Sequence, residues 1–209
     1  MSIMQMILDF LKKMFSKGET NMKTSPVVKE TSISIDTTNS LKWSWIVVHH
    51  SATVDGKTNE WDSMKAYQMS WRYNDNAITE EKAKSLIASG VKSVIKPDRD
   101  IAYNYGIENI NNQFIYKIGR PLTMKGAHAI GFNDKAIGIC VVGCFDLKAP
   151  SQEQYDMLAK LCRDLQRTFN ISKSHVIGHR ETYIMRNVPI EKSCPGKQFS
   201  CDYLRSVLI

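Results

Sequence analysis

In most of the chain, hydrophobic positions recur either at every second residue, as in strands, or at every third to fourth residue, as in helices. This pattern predicts strands interleaved with helices. The β-branched run Trp45–His50 predicts a buried strand that ends in two histidines. Further strands are predicted over 101–107, 113–118, 136–142 and 174–178, and helices over 59–72, 79–90 and 151–169. This alternation indicates an α/β fold, a single domain with a central mixed β-sheet flanked by helices.

The N-terminal segment has a different pattern. On a helix, residues 3–15 place their apolar side chains on one broad face, and the polar ones lie opposite. We therefore predict an amphipathic helix over 1–18, a Ser-, Thr-, Lys- and Asn-rich linker over 19–41, and one domain over 42–209. The helix either packs on its own domain or a second copy, or contacts a membrane surface or a partner through residues 3–15. The oligomeric state is left open.

The N-terminal segment also bears on localisation. It is not a recognisable signal peptide, because it lacks a basic start and Asp9, Lys12 and Lys13 interrupt its apolar run. We expect synthesis in the cytoplasm.

Composition narrows the class of protein. The chain is 43% hydrophobic and 23% charged, as in ordinary globular proteins, with a formal net charge of +7. A basic surface suits any polyanion, but the chain has no nucleic-acid-binding motif, so no nucleic-acid partner is expected. None of the five cysteines forms a CxxC pair, and Cys140 and Cys162 are expected to be small buried residues.

Three residues are candidate metal ligands. His49 and His179 end separate predicted strands, and Cys194 follows in a loop. Two imidazoles and one thiolate suit zinc and leave a fourth coordination position open for water. The spacing alone supports this site weakly, because a histidine at a strand end is more often a surface or hydrogen-bonded residue.

Six short motifs in a fixed order strengthen this interpretation. They are Val47-Val-His-His-Ser-Ala-Thr, Ala102-Tyr-Asn-Tyr, Gly126-Ala-His-Ala, Ile137-Gly-Ile-Cys-Val-Val-Gly, Gly178-His-Arg-Glu and Lys192-Ser-Cys-Pro-Gly. The series resembles the N-acetylmuramoyl-L-alanine amidases of the Amidase_2 family, which includes phage endolysins and animal peptidoglycan-recognition proteins. The resemblance covers residues 43–208.

The resemblance implies a role for each matching residue. His49, His179 and Cys194 match zinc ligands, and Tyr103 and Lys192 match catalytic residues. His128 and Asn133 match positions that line the substrate groove. The implied activity is zinc-dependent hydrolysis of the amide bond between N-acetylmuramic acid and L-alanine in peptidoglycan, for cell-wall lysis or remodelling. Outside this context, Tyr103 would be a packed strand aromatic and Lys192 a solvated lysine.

Two segments depart from the compact family pattern. The stretch between His179 and Cys194 is longer, which alters one side of the expected groove. Residues 73–100 form an insertion that is either a lid, a substrate wall or solvated surface. Two other functions stay open, a peptidoglycan-binding receptor without catalysis and an interaction protein that docks through its N-terminal helix. The presence of Cys194, Tyr103 and Lys192 favours the enzyme.

Overall fold

The computed structural model describes residues 33–53 and 59–209. The strands in these ranges are β1 (Trp45–His50), β2 (Trp71–Tyr73), β3 (Asn76–Ile78), β4 (Tyr105–Ile110), β5 (Gln113–Ile118), β6 (Ala136–Val141) and β7 (Val176–Gly178). The α-helices are α1 (Glu60–Gln68), α2 (Glu80–Ala88), α3 (Gln152–Phe169), α4 (His179–Met185) and α5 (Cys201–Ser206). The helix predicted over 1–18 and most of the predicted linker lie outside the described residues.

The central sheet is mixed, as the sequence predicted. Its strand order is β5-β4-β6-β1-β7, with β4, β6, β1 and β7 parallel and β5 antiparallel at one edge. Helices flank this sheet, so the predicted α/β fold class is confirmed. Among the described residues, no helix is long and apolar enough to cross a membrane.

The two faces of β1 serve different purposes, because successive side chains on a strand point to opposite faces. Ile46 and Val48 enter the main hydrophobic core, to which α3 contributes. Val47 belongs to a smaller cluster on the other face. His49 shares the parity of Val47, so it points away from the main core and towards the candidate site.

The longest helix, α3, is fixed at both ends. The Ser151 hydroxyl accepts a hydrogen bond from the Gln154 N–H, and the Gln154 side chain accepts one from the Ser151 N–H. This capping box satisfies donors that the first helical turn leaves free. Asn170 ends the helix in the left-handed conformation.

The first predicted helix ends earlier than expected, and a hairpin follows it at the start of the insertion over 73–100. The helix predicted over 59–72 ends at Gln68, because Trp71 and Arg72 pair with β3 across a turn in which Asn74 and Asp75 have positive φ. Those values suit a tight hairpin. The structure therefore corrects the helix end and adds a hairpin that the sequence analysis did not predict.

The start of β4 also differs from the prediction. The strand begins at Tyr105 rather than at residue 101, because the backbone before it bonds to other groups. The Arg120 guanidinium, for example, donates to the carbonyls of Ile101 and Asp100. Residues 101–104 therefore form a loop, and that loop carries Tyr103. Two short helices, α4 and α5, were also not predicted.

The last residues of the predicted linker pack on the domain. Ile33 and Ile35 are partly buried against the main core, and the Leu41 N–H donates to the Leu122 carbonyl. The chain is thus ordered against the domain before β1 begins.

Removing the Ser151 cap should destabilise the domain. We expect Ser151→Ala to lower the free energy of unfolding by about 1 kcal/mol, because the N–H of Gln154 loses its partner. Urea denaturation would measure the change. Ser172→Ala is the matched control, since Ser172 precedes a short 3₁₀ helix without a side-chain capping bond. Equal losses in the two variants would contradict the prediction.

Candidate metal centre

Three potential ligand atoms converge at the carboxyl ends of two neighbouring strands. Atoms of His49, His179 and Cys194 lie within 4.8 Å of one another. His49 is the fifth residue of β1, and His179 directly follows β7. Because Val48 is in register with Gly178 across the parallel pair, the two histidines emerge side by side.

Cys194 reaches this point on a loop. Its Sγ lies 3.6 Å from Nδ1 of His49. Asp146 holds the loop on both sides of the cysteine, because its carboxylate accepts from the Ser193 hydroxyl at 2.8 Å and from the Lys197 N–H at 2.9 Å. These bonds keep the pKa of Asp146 below its usual value.

Arg180 also holds this loop in place. Its guanidinium donates to the carbonyl of Ser193 at 3.1 Å and to that of Phe199 at 2.8 Å. Its own N–H donates to the Cys194 carbonyl at 2.7 Å. Since Arg180 follows His179 directly, one short segment provides a candidate ligand and also positions the loop that carries another. The sequence analysis quoted Arg180 within a motif but gave no role to Arg180 or Asp146.

His128 lines the same groove and contacts His49. Its Nδ1 is 3.0 Å from Nε2 of His49, and its Nε2 is 3.2 Å from the Ala136 carbonyl oxygen. Asn133 organises this corner, because its side-chain oxygen accepts from the N–H groups of His128 and Ala129. A substrate-binding role for His128 and Asn133 stays a prediction.

Burial keeps the imidazoles of the site neutral. It lowers the pKa of His49 well below the usual histidine value, and the neighbouring His128 lowers it further. It lowers the pKa of His128 and of His179 to about 4, and the Lys192 ammonium adds to the effect at His179. Desolvation disfavours a charged form, so at neutral pH these rings carry lone pairs that can bind a metal.

The Cys194 thiol is under opposing influences. Burial raises its pKa to about 11, while a hydrogen bond from the His50 backbone N–H and the positive charge of Lys192 act in the opposite direction. Binding to a metal ion requires the thiolate and releases the proton. The backbone donor and the lysine would both stabilise that thiolate.

Tyr103 and Lys192 face the same groove, which has a volume of about 530 Å³ and also contains the three candidate ligands. The Tyr103 ring centroid is 5.1 Å from that of His49. Burial, and secondly the nearby Cys140, raise the pKa of Tyr103 well above its ordinary value, so its hydroxyl stays protonated. Lys192 is exposed on the facing loop.

The backbone of Tyr103 is held from several directions. Its carbonyl accepts from the Arg120 N–H at 2.9 Å. The adjacent Asn104 exchanges two hydrogen bonds with Gly138, one from its backbone N–H and one to its side-chain oxygen. The loop that carries the tyrosine is therefore anchored to β6, the strand next to β1.

The opposite wall of the groove comes from α1 and the insertion. Gln68, Arg72 and Asp98 line it, and Arg72 and Asp98 form an ion pair at 3.0 Å. Within the predicted insertion, Asp98 thus lines the groove, while most of α2 is exposed to solvent. A role of the insertion as a lid stays a prediction.

The donor set fits a zinc ion. Two neutral imidazoles and one thiolate are the nitrogen and sulfur ligands that zinc prefers, and three protein ligands leave a position open, as catalytic zinc sites do. The structure brings together all five residues predicted to bind metal or act in catalysis. Their roles stay predictions.

Comparisons with known proteins agree with the fold. The family model described as N-acetylmuramoyl-L-alanine amidase matches residues 39–197. A peptidoglycan recognition protein from Trichoplusia ni is 37% identical over 57 residues, which are 27% of this chain and 31% of that protein. The chain matches only about a third of the length of its curated relatives.

Two solved structures share the fold. Bumblebee PGRP-SA aligns with a TM-score of 0.50 and 20% identity over 81% of this chain and 86% of that one. Peptidoglycan recognition protein-LE, solved in complex with tracheal cytotoxin, aligns with a TM-score of 0.51 and 18% identity over 86% of each chain.

The buried histidines should make stability depend on pH. In the unfolded chain a histidine is protonated below about pH 6.5, whereas folded His128 resists protonation until about pH 4. Stability is therefore complete above pH 6.5 and falls as the pH drops from 6.5 towards 4, by roughly 3 kcal/mol for His128. Urea denaturation with a chelator present, from pH 4 to 7.5, would measure this. His128→Asn should give a flatter curve, and an unchanged slope would contradict the prediction.

Asp146 should matter to metal affinity through the loop that it holds. We expect Asp146→Ala to weaken zinc binding by about tenfold or more, because Ser193 and Lys197 lose the shared acceptor that keeps Cys194 in place. Competition with a chromophoric chelator would measure the affinity. Asp156→Ala, an exposed change on α3, is the control. Wild-type affinity in Asp146→Ala would show that the loop keeps its place without the carboxylate.

Proposed function

The chain belongs to the N-acetylmuramoyl-L-alanine amidase family, and on this premise we propose that it hydrolyses the amide bond between N-acetylmuramic acid and L-alanine in peptidoglycan. In this proposal His49, His179 and Cys194 hold a zinc ion. The observation that carries it is the convergence of these ligands within 4.8 Å, in one groove with Tyr103 and Lys192. A structural zinc site would be closed by a fourth protein ligand, whereas this set faces an open groove.

The residues of the groove suit amide hydrolysis. Zinc supplies, when bound, activation of a water molecule and polarisation of the scissile carbonyl. Tyr103 keeps its proton at neutral pH, so it acts as a hydrogen-bond donor to the negative charge that develops on the scissile carbonyl oxygen. The hydroxyl does not act as a base, because the tyrosine would have to ionise in a buried position.

Lys192 supplies positive charge on the other side. Hydrolysis of an amide passes through a negatively charged tetrahedral state, which donors and cations stabilise. The Lys192 ammonium is close enough to the ligands to lower the pKa of His179. It therefore stabilises the developing negative charge.

The proposal includes the place of action. The enzyme is made in the cytoplasm and acts on the bacterial cell wall, in lysis or in remodelling. The groove is open to solvent, so it suits an extended polymer better than a closed pocket would.

The direct test is digestion of purified peptidoglycan by the full chain. We expect new free amino groups on L-alanine, no new reducing sugar ends, loss of activity with a chelator and recovery with zinc. Reducing ends instead would indicate a glycosidase. Binding to peptidoglycan without any products would indicate a receptor and would contradict the proposed catalysis.

Three variants separate the roles within the site. Cys194→Ala should lose zinc and activity together, whereas Tyr103→Phe and Lys192→Met should keep zinc and lower kcat by roughly 100-fold each. Tyr203→Phe and Lys148→Met are matched controls, because both residues are exposed outside the groove. Full activity of Cys194→Ala would refute the ligand assignment.

A further inference from the structure

We infer that His128 is a positioning residue, which fixes the proton on one nitrogen of His49 and so leaves the other nitrogen free for the metal. The inference rests on the proposed zinc site and gives His128 a role other than substrate binding. It follows from a line of three groups, the Ala136 carbonyl, the His128 ring and the His49 ring, joined by contacts of 3.2 Å and 3.0 Å.

The direction of each hydrogen bond follows from the Ala136 carbonyl, the group at one end of this series. A carbonyl oxygen can only accept, so Nε2 of His128 must carry a proton and donate it to Ala136. A neutral imidazole has one proton, and Nδ1 of His128 is then an acceptor. Nε2 of His49 must therefore be the donor across the 3.0 Å contact.

The consequence falls on the other nitrogen of His49. With its proton on Nε2, the neutral ring has a lone pair on Nδ1, and Nδ1 is the atom 3.6 Å from the Cys194 sulfur. This is the state that a metal ligand requires. Without a partner at Nε2, the proton is free to occupy either nitrogen, and the tautomer with Nδ1–H has no lone pair for the metal.

The position of the His128 ring depends on two glycines that lie against it, Gly126 and Gly138. A Cβ added at Gly126 would lie 2.3 Å from the ring carbon Cδ2 of His128, and one added at Gly138 would lie 2.5 Å from the same atom. Two glycines from separate segments thus leave the room that the ring occupies, and a side chain at either position would displace it. The glycines of the Gly126-Ala-His and Ile137-Gly-Ile motifs therefore have a purpose in the site.

The same contacts argue against a hydrogen bond between a substrate and the ring nitrogens of His128, a residue that lines the groove. Both ring nitrogens already have partners within the protein, and the residue is only 8% exposed. A substrate would have to break one of these bonds to use the ring. The hydrogen bonds to the Ala136 carbonyl and to His49 occupy both ring nitrogens.

The first test observes the proton directly. Long-range nitrogen–proton NMR of the full chain, with labelled histidines, distinguishes a protonated ring nitrogen from one with a lone pair. We expect the Nε2–H tautomer for both His128 and His49 before zinc is added, and the same tautomers after it is added. The Nδ1–H tautomer of His49 in the zinc-free protein would overturn the inference.

Two variants of equal polarity provide the second test. His128→Asn places an amide oxygen near the position of Nδ1 and can still accept from His49, whereas His128→Gln places its polar atoms near Nε2 and cannot. We expect Asn to keep zinc affinity close to the wild-type value, and Gln and Phe at this position to weaken it about 10- to 100-fold. A role in packing alone predicts the reverse order, with Phe the best substitute.

Gly138→Ala extends the test without changing either histidine. It should displace the His128 ring and weaken zinc binding in the same way. Absorption spectra of the cobalt-substituted protein would show whether the ligand set is intact in each variant. Equal zinc affinity in His128→Asn, His128→Gln and His128→Phe would overturn the inference.

These measurements do not depend on peptidoglycan cleavage. If the tautomer and the affinity series are as expected but no amide is cleaved, the inference stands and the proposed function fails. If peptidoglycan is cleaved but the series is flat, the proposed function stands and the inference fails. A wild-type protein that binds no zinc would overturn the metal site and the inference with it.

Discussion

The parallel pairing of β1 with β7 is the constraint on which the site depends. Because Val48 lies opposite Gly178, the residue that follows each of them is a histidine, and the two rings meet at the carboxyl ends of these strands. A shift of the register by one residue would turn one ring to the opposite face. Such a shift would also expose the aliphatic side chains of Ile46 and Val48, which are buried in the main core. Their burial therefore opposes the shift.

The third candidate ligand is held in another way. Cys194 belongs to no strand or helix, so the backbone ladder does not fix its position. Side chains take over this task, with Asp146 binding both flanks of the loop and Arg180 binding its carbonyls. The site thus joins two ligands on a rigid sheet to one on a loop held by charged groups, and loops carried by a rigid scaffold are common places for functional residues.

Sequence reasoning reached the parts of the molecule that depend on local pattern. The segment of β1 is a β-branched apolar run, and that of α3 has a helical pattern that begins at the N-cap Ser151. The predicted fold class followed from such patterns. The late start of β4 could not be predicted, because it depends on partners far along the chain, such as Arg120 for residues 100 and 101. The β2–β3 hairpin is local, but its strands of three residues each are too short to show a strand alternation. The links of His128 to Ala136 and of Asp146 to Ser193 also require knowledge of which segments meet in space.

The separation of the ligands along the chain has a consequence for biosynthesis. His49 and Cys194 are 145 residues apart, and Cys194 lies on a loop near the end of the domain. During translation no partial chain that lacks Cys194 can complete the ligand set, however well β1 has formed. Contacts between distant residues also form late in folding, because long loops must close first. The candidate metal site is therefore incomplete until nearly the whole domain has left the ribosome.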